Sequence, residues 1–272
     1  MPEIKKHNLI VGILFILQAA AALLYFMWIL RVFPQLAVSI LTAAIVFYSV
    51  QAALIVVITL LRKELLAPSI FFLLMGSTGF LPAEWHIFVV YLYYSIVPYL
   101  FLILIVPGFE SARGWLKWGK LDRLSAVMVI VTVIVSSGSL VLWTYLFKPD
   151  MSGLLEIIPF DNIPLLIALI LGFSLFNAIG EETVFRGILQ EALKTVFPFP
   201  FAAVTIQCLL FGVWHFYGFP SGVSGMALVW LWGAALGWLR ERTGGMLAPL
   251  LAHFFADFTI ILIVVLTRGQ IG

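Results

Sequence analysis

The chain has 272 residues, 63% of them hydrophobic and only 10% charged, with a mean hydropathy of +1.15. A soluble domain carries about 25% charged residues to keep its surface wet, so this composition excludes a soluble enzyme and describes a polytopic membrane protein. The net charge of +2 gives no reason to expect a nucleic-acid partner, and the lone Cys208 excludes an intramolecular disulfide framework.

A spanning helix needs about 20 apolar residues. Nine stretches are candidates: Leu9–Phe33, Leu36–Leu61, Leu65–Leu81, Ile87–Val106, Leu124–Phe147, Pro164–Gly180, Phe201–Tyr217, Val223–Leu239 and Met246–Thr267. The third is short and interrupted by Pro68, Gly76 and Gly79. The expectation is therefore an all-α polytopic membrane helix bundle of eight or nine transmembrane helices, with one re-entrant piece in the lower count. Leu9–Phe33 follows Lys5 and Lys6 but is long for a signal-peptide core, so it reads as an uncleaved first span.

With nine spans and the N-terminus inside, the inner loops also hold Arg62, Lys63, Arg113, Lys117, Lys120, Arg123, Lys194, Arg240 and Arg242. The outer loops hold only Arg31, Lys148 and Arg268, the asymmetry of a multi-pass protein that keeps its positive loops inside. Two longer polar stretches stand out. Glu110–Arg123 reads as an interfacial amphipathic segment with Trp115 and Trp118, and Lys148–Asn162 as an acidic outer loop. Glu84, Trp85 and His86 read as headgroup-level residues. The chain forms one continuous membrane domain, with residues 1–163 as N-terminal helices and 164–267 as the functional core. Before residue 164 the apolar runs are almost free of ionisable groups; after it such groups appear inside them.

An ionisable side chain at membrane depth is costly unless it is paired or lines a wet cavity, so each one marks a candidate site. Four places qualify: Glu181-Glu182 with Arg186, His215, His253 and Asp257. Glu182 and Arg186 are four apart and share a helix face, which leaves Glu181 about 100° around the helix. As a pair alone they could equally be the solvated end of a helix. Pro198-Phe199-Pro200 lies midway between Glu181 and His215. Antiparallel helices joined at that turn would each place their residue about 24 Å from it, so the carboxylate and the imidazole come level. His253 and Asp257 are also four apart, on one face; they can pair with each other or point together into the same chamber.

Two chemistries are open to such a chamber. Glu181 and His215 could activate water as general bases while His253 and Asp257 position the substrate or stabilise an oxyanion. Alternatively Glu181, His215, His253 and Asp257 could ligate zinc, whose bound water would be the nucleophile. The zinc-protease HExxH motif is absent. Gly222-Val223-Ser224-Gly225 matches the GxSG of rhomboid serine proteases. That match is cheap in a chain with 21 glycines, it sits where Gly and Ser are expected as helix caps, and it leaves Glu181, His215 and Asp257 without a task. Cys208 reads as a packing residue, and Gly225, Gly233, Ala234 and Gly237 as a helix-packing surface.

In order, Glu181-Glu182-x-x-x-Arg186, Phe211-x-x-x-His215 and His253-x-x-x-Asp257 resemble the CPBP family, the CAAX proteases and bacteriocin-processing enzymes also called Abi or Rce1-like. The run Arg242-Thr243-Gly244-Gly245-Met246-Leu247-Ala248-Pro249 is similar to the family's approach to its last motif, and the resemblance covers Phe176–Asp257. It implies an intramembrane endopeptidase acting on a membrane protein or a lipidated peptide, as eukaryotic members do on prenylated CAAX proteins. By the same resemblance Glu181 and His215 activate the water and His253 with residue 257 forms the oxyanion site, while Glu182 and Arg186 support Glu181. Members with Asn at the final position suit neutral donation; this chain has Asp257. Two rivals share the composition: a proton-coupled transporter, which should show an inverted repeat that is not visible here, and a non-proteolytic scaffold or bacteriocin-immunity protein of the same fold.

Overall fold

The computed structural model describes residues 6–32, 39–78, 88–156 and 158–267. The described residues form helices joined by turns and loops, without strands: α1 (Lys6–Val32), α2 (Ser39–Leu61), α3 (Leu66–Ser77), α4 (Phe88–Ile105), α5 (Arg123–Phe147), α6 (Ser152–Leu155), α7 (Ile163–Glu182), α8 (Gln190–Val196), α9 (Pro200–Trp214), α10 (Gly222–Thr243) and α11 (Leu247–Thr267). Seven segments among them are long and apolar enough to cross a membrane, and Leu92–Ile105 of α4 is a shorter apolar helix. The protein is an all-α, multi-pass integral membrane protein. The interrupted third stretch forms α3, whose 12 residues span only about 18 Å, less than the hydrocarbon thickness. Lys5, Arg268 and the Glu84-Trp85-His86 group lie outside the described residues.

The chain forms two compact units, Met1–Leu116 with Gly187–Ala203 and Lys117–Arg186 with Val204–Gly272. In the first, α1, α2, α3, α4 and α8 pack around Phe15, Phe71, Phe72 and Tyr99, all within 1% of complete burial. Buried amides tie the helices together: Gln18 donates to the Ser69 carbonyl at 3.3 Å and Gln51 to the Gln18 carbonyl at 3.2 Å. The sequence places Trp115 at the interface, but the structure turns it inward. Its ring lies so close to Gly187 that a Cβ there would sit 2.8 Å from it. Trp118, in the other unit, is exposed.

In the second unit, α11 packs on α7 and α5, and α10 packs on α11 and α5. Val129 of α5 shares a cluster with Ala248 and Ala252, and Leu140 one with Ala256 and Ile260. Together with the Ser137–Thr259 hydroxyl contact at 2.8 Å, these clusters make α5 and α11 run in the same direction. Small residues set the closest approaches, as expected where lipid removes the hydrophobic drive for helix association. A Cβ on Gly212 of α9 would meet the Met226 carbonyl of α10 at 2.9 Å. Asn162 caps α7 by accepting the Leu165 N–H, with Pro164 in the first turn. α7 continues without interruption into a π-helical segment, Thr183–Leu189, which carries Arg186.

The loop before α5 is clamped to the α10–α11 turn. Lys120 N–H donates to Thr243, Met246 N–H to Lys117 and Leu247 N–H to Trp118. Gly119 (φ +80°) and Gly245 touch backbone to backbone. Gly245→Ala would push a methyl into the Trp118–Gly119 backbone and is expected to cost about 1–3 kcal/mol, the scale of overpacking, measured by thermal unfolding in detergent. An unchanged midpoint would contradict this clamp.

Asp122 caps α5. Its carboxylate accepts the Ser125 N–H at 2.8 Å and an Arg242 N–H at 2.9 Å. The Ser125 backbone N–H, helped by Arg242, holds its carboxyl below the usual aspartate range. The cap therefore stabilises the fold fully above the unfolded aspartate pKa of about 3.9 and is lost as pH falls through the lower folded value. Asp122→Asn keeps a capping oxygen but not the charge, so it is expected to be less stable than the wild type near neutrality and to show a shallower acid limb that meets the wild type's at low pH. Superimposable acid limbs would contradict the assignment.

Candidate active site

Three helices deliver the ionisable groups to one place in the second unit. Glu181 and Glu182 end α7, His215 follows the last residue of α9, and His253 and Asp257 lie one turn apart in α11. All are buried, as is Arg186. The Pro198–Pro200 turn does bring Glu181 and His215 level: Glu181 Oε2 is 3.8 Å from His215 Nε2. It is also 3.5 Å from His253 Nε2, and His253 Nε2 is 3.6 Å from Asp257 Oδ2. Glu181, His215, His253 and Asp257 thus form one continuous chain of contacts.

Hydrogen bonds fix the orientation of each. His215 Nδ1 faces the Phe211 carbonyl at 3.1 Å. A carbonyl only accepts, so Nδ1 carries the hydrogen and the neutral ring presents the Nε2 lone pair to Glu181. The 3.8 Å separation of Nε2 from Oε2 exceeds a direct hydrogen bond and suits a shared water. Glu181 Oε1 accepts the Trp214 indole N–H at 3.3 Å, which leaves Oε2 facing the two imidazoles. His253 Nδ1 lies 2.6 Å from Glu182 Oε1. That oxygen also accepts from Arg186 at 2.9 Å, so Nδ1 donates and Nε2 faces Glu181 and Asp257. Glu182 thus contacts both Arg186 and His253 through one oxygen.

Arg186 is the most demanding group, a fully buried guanidinium. It pairs with Glu182, donates to the Gly233 carbonyl at 3.2 Å and lies over the Phe211 ring, 4.3 Å from its centroid. Gly233 makes room for it, since a Cβ there would stand 3.3 Å from Nη2. Its carbonyl also accepts from Gln207 at 3.1 Å.

A cavity of about 290 Å³ adjoins these groups. His215, His253 and Asp257 form one wall, and α5 and α10 form the others through Thr132, Ser136, Leu140, Leu228 and Trp232. Trp232 stacks edge-on against His253, ring centroids 4.7 Å apart. Two participants were not singled out in the sequence. Trp214 had adjacency to His215 as its only signal. Asn177 donates to Asp257 Oδ2 at 3.0 Å; its signal was a polar residue one turn before Glu181.

Other candidates find structural partners. Ser224 Oγ accepts the Trp143 indole N–H at 3.0 Å, and the buried Cys208 thiol donates to the Thr205 carbonyl. Among the described residues, no three His, Cys, Asp or Glu side chains are disposed to hold a metal ion.

Residues 163–259 match the family model described as type II CAAX prenyl endopeptidase Rce1-like. No curated protein and no solved structure matches the chain.

Proposed function

From the match of residues 163–259 to the type II CAAX prenyl endopeptidase Rce1-like family model, we propose that this chain hydrolyses a peptide bond near the C-terminus of a membrane-associated, prenylated CAAX-type substrate. Glu181 and His215 are its water-activating pair. The observation that carries this reading is the 3.8 Å pairing of Glu181 Oε2 with His215 Nε2 beside the cavity.

A water between these atoms gives its proton to the pair as its oxygen attacks the scissile carbonyl, the general-base step. The carbonyl oxygen gains negative charge and turns to the side of the cavity where His253 Nε2 lies. His253 is aimed there by the Glu182–Arg186 pair and donates from Nε2 when the ring carries its second proton. The held proton then passes to the leaving amine, the C–N bond breaks, and the two products are the shortened substrate ending in a new carboxylate and the released C-terminal peptide with a free amine. The substrate is a lipidated peptide or membrane protein whose tail enters the cavity.

The test is cleavage of a quenched farnesylated CAAX peptide by purified protein in detergent, with and without a metal chelator, beside His215→Ala. The expected result is cleavage that the chelator does not touch and that His215→Ala loses. Chelator inhibition reversed by zinc would replace the pair-activated water with a metal-bound one. Folded wild type with no peptidase activity would favour the scaffold.

A further inference from the structure

Asp257 is the least expected member of the site, because an ionised carboxylate cannot donate to a developing oxyanion and repels it. It stands 3.6 Å from His253 Nε2, the donor that the reaction needs. A carboxylate and an imidazole one helical turn apart close readily into a charge-assisted hydrogen bond of about 2.8 Å. That contact would occupy Nε2 and take His253 out of use. In the structure the gap stays open, and the oxygen nearest His253 is held instead by Asn177: Nδ2 to Oδ2, 3.0 Å.

Asn177 is itself 8% exposed and sits on α7 one turn before Glu181. Its bond to Asp257 joins the helix that carries the base to the helix that carries the oxyanion wall.

We propose that Asn177 is a positioning residue that holds the Asp257 carboxylate back from His253 and so keeps His253 Nε2 available to substrate. The inference rests on the water-activation reading above and assigns to Asn177 a role that acts through Asp257. An amide suits it: Nδ2 donates to a carboxylate without adding charge, whereas an aspartate at 177 would repel Asp257 and an alanine would release it. A carboxamide at 257 would need no such restraint, because it lacks the charge that captures an imidazole.

The experiment compares wild type, Asn177→Ala, Asp257→Asn and the double variant on a farnesylated CAAX peptide in detergent, with kcat, KM and the thermal midpoint measured for each. Asn177→Ala is expected to lose about 10²-fold in kcat, the cost of roughly 1 Å of misplacement, with KM unchanged. Adding Asp257→Asn is expected to restore most of that loss. A purely structural role would lower the thermal midpoint and leave the double variant no better than Asn177→Ala. Wild-type kcat in Asn177→Ala, or no restoration in a folded double variant, overturns the inference. Glu181→Gln run beside them separates the claims. If it is inert while Asn177→Ala is fully active, this inference alone fails. If it still cleaves, the water-activation reading fails and this inference with it.

Discussion

Glu181→Gln is expected to lower kcat by about 10²- to 10⁴-fold, the range attributable to a positioned general base, while the protein folds as before. The substitution preserves shape. A glutamine Oε1 still accepts the Trp214 indole N–H that Glu181 accepts at 3.3 Å, so the end of α7 keeps its anchor. What disappears is the basic oxygen 3.8 Å from His215 and 3.5 Å from His253. A neutral amide also removes the cost of burying a charge, so the thermal midpoint should not fall. His215→Ala should show a comparable loss. Because both residues act on one water, the double variant should be about as impaired as the worse single one. Losses that multiply would mean that Glu181 and His215 serve separate steps.

Arg186→Met is expected to destabilise the protein by about 3–5 kcal/mol, the usual cost of removing one partner from a buried ion pair. Methionine can fill the space under Phe211, but Glu182 is left at 1% exposure without its cation. The Gly233 carbonyl also loses one of its two donors. The harm extends to function, because Glu182 fixes the ring of His253 through the 2.6 Å contact at Nδ1. Arg186→Lys should recover only part of the stability, since an ammonium cannot reproduce the flat face over Phe211 or the fork shared between Glu182 and Gly233. Adding Glu182→Gln to Arg186→Met should also recover part, because it removes the unpaired charge and keeps an acceptor for His253. Thermal unfolding of the four proteins in detergent checks this order. An Arg186→Met midpoint equal to wild type would show that the pair is dispensable.

The membrane made the site legible before its geometry was known. Glu181, Arg186, His215, His253 and Asp257 stand out because an ionisable group in an apolar run is expensive, whatever its neighbours. The level placement of Glu181 and His215 could be worked out from the Pro198–Pro200 turn because the rise of a helix is nearly constant. The partners were harder to read. Spacing tied Glu182 to Arg186 correctly, but its second contact, His253, is 71 residues away in the chain and no local pattern points to it. Asn177 carries no charge, so a single polar amide in α7 looked unremarkable until its distance to Asp257 was known. The inward turn of Trp115 depends on the space left by Gly187, and the shortness of α3 was foreshadowed only by Pro68, Gly76 and Gly79 in the third stretch. The π-helical segment that carries Arg186 left no compositional mark, since backbone hydrogen-bond register is not written in residue type.

The most direct measurement is mass-spectrometric analysis of a farnesylated CAAX peptide incubated with purified wild type and with Glu181→Gln, both verified as folded. The account predicts one hydrolysed bond, with the last three residues released by the wild type and almost none by Glu181→Gln. The same products at the same rate from both proteins would contradict the role given to Glu181, and an intact peptide after incubation with folded wild type would contradict the CAAX substrate.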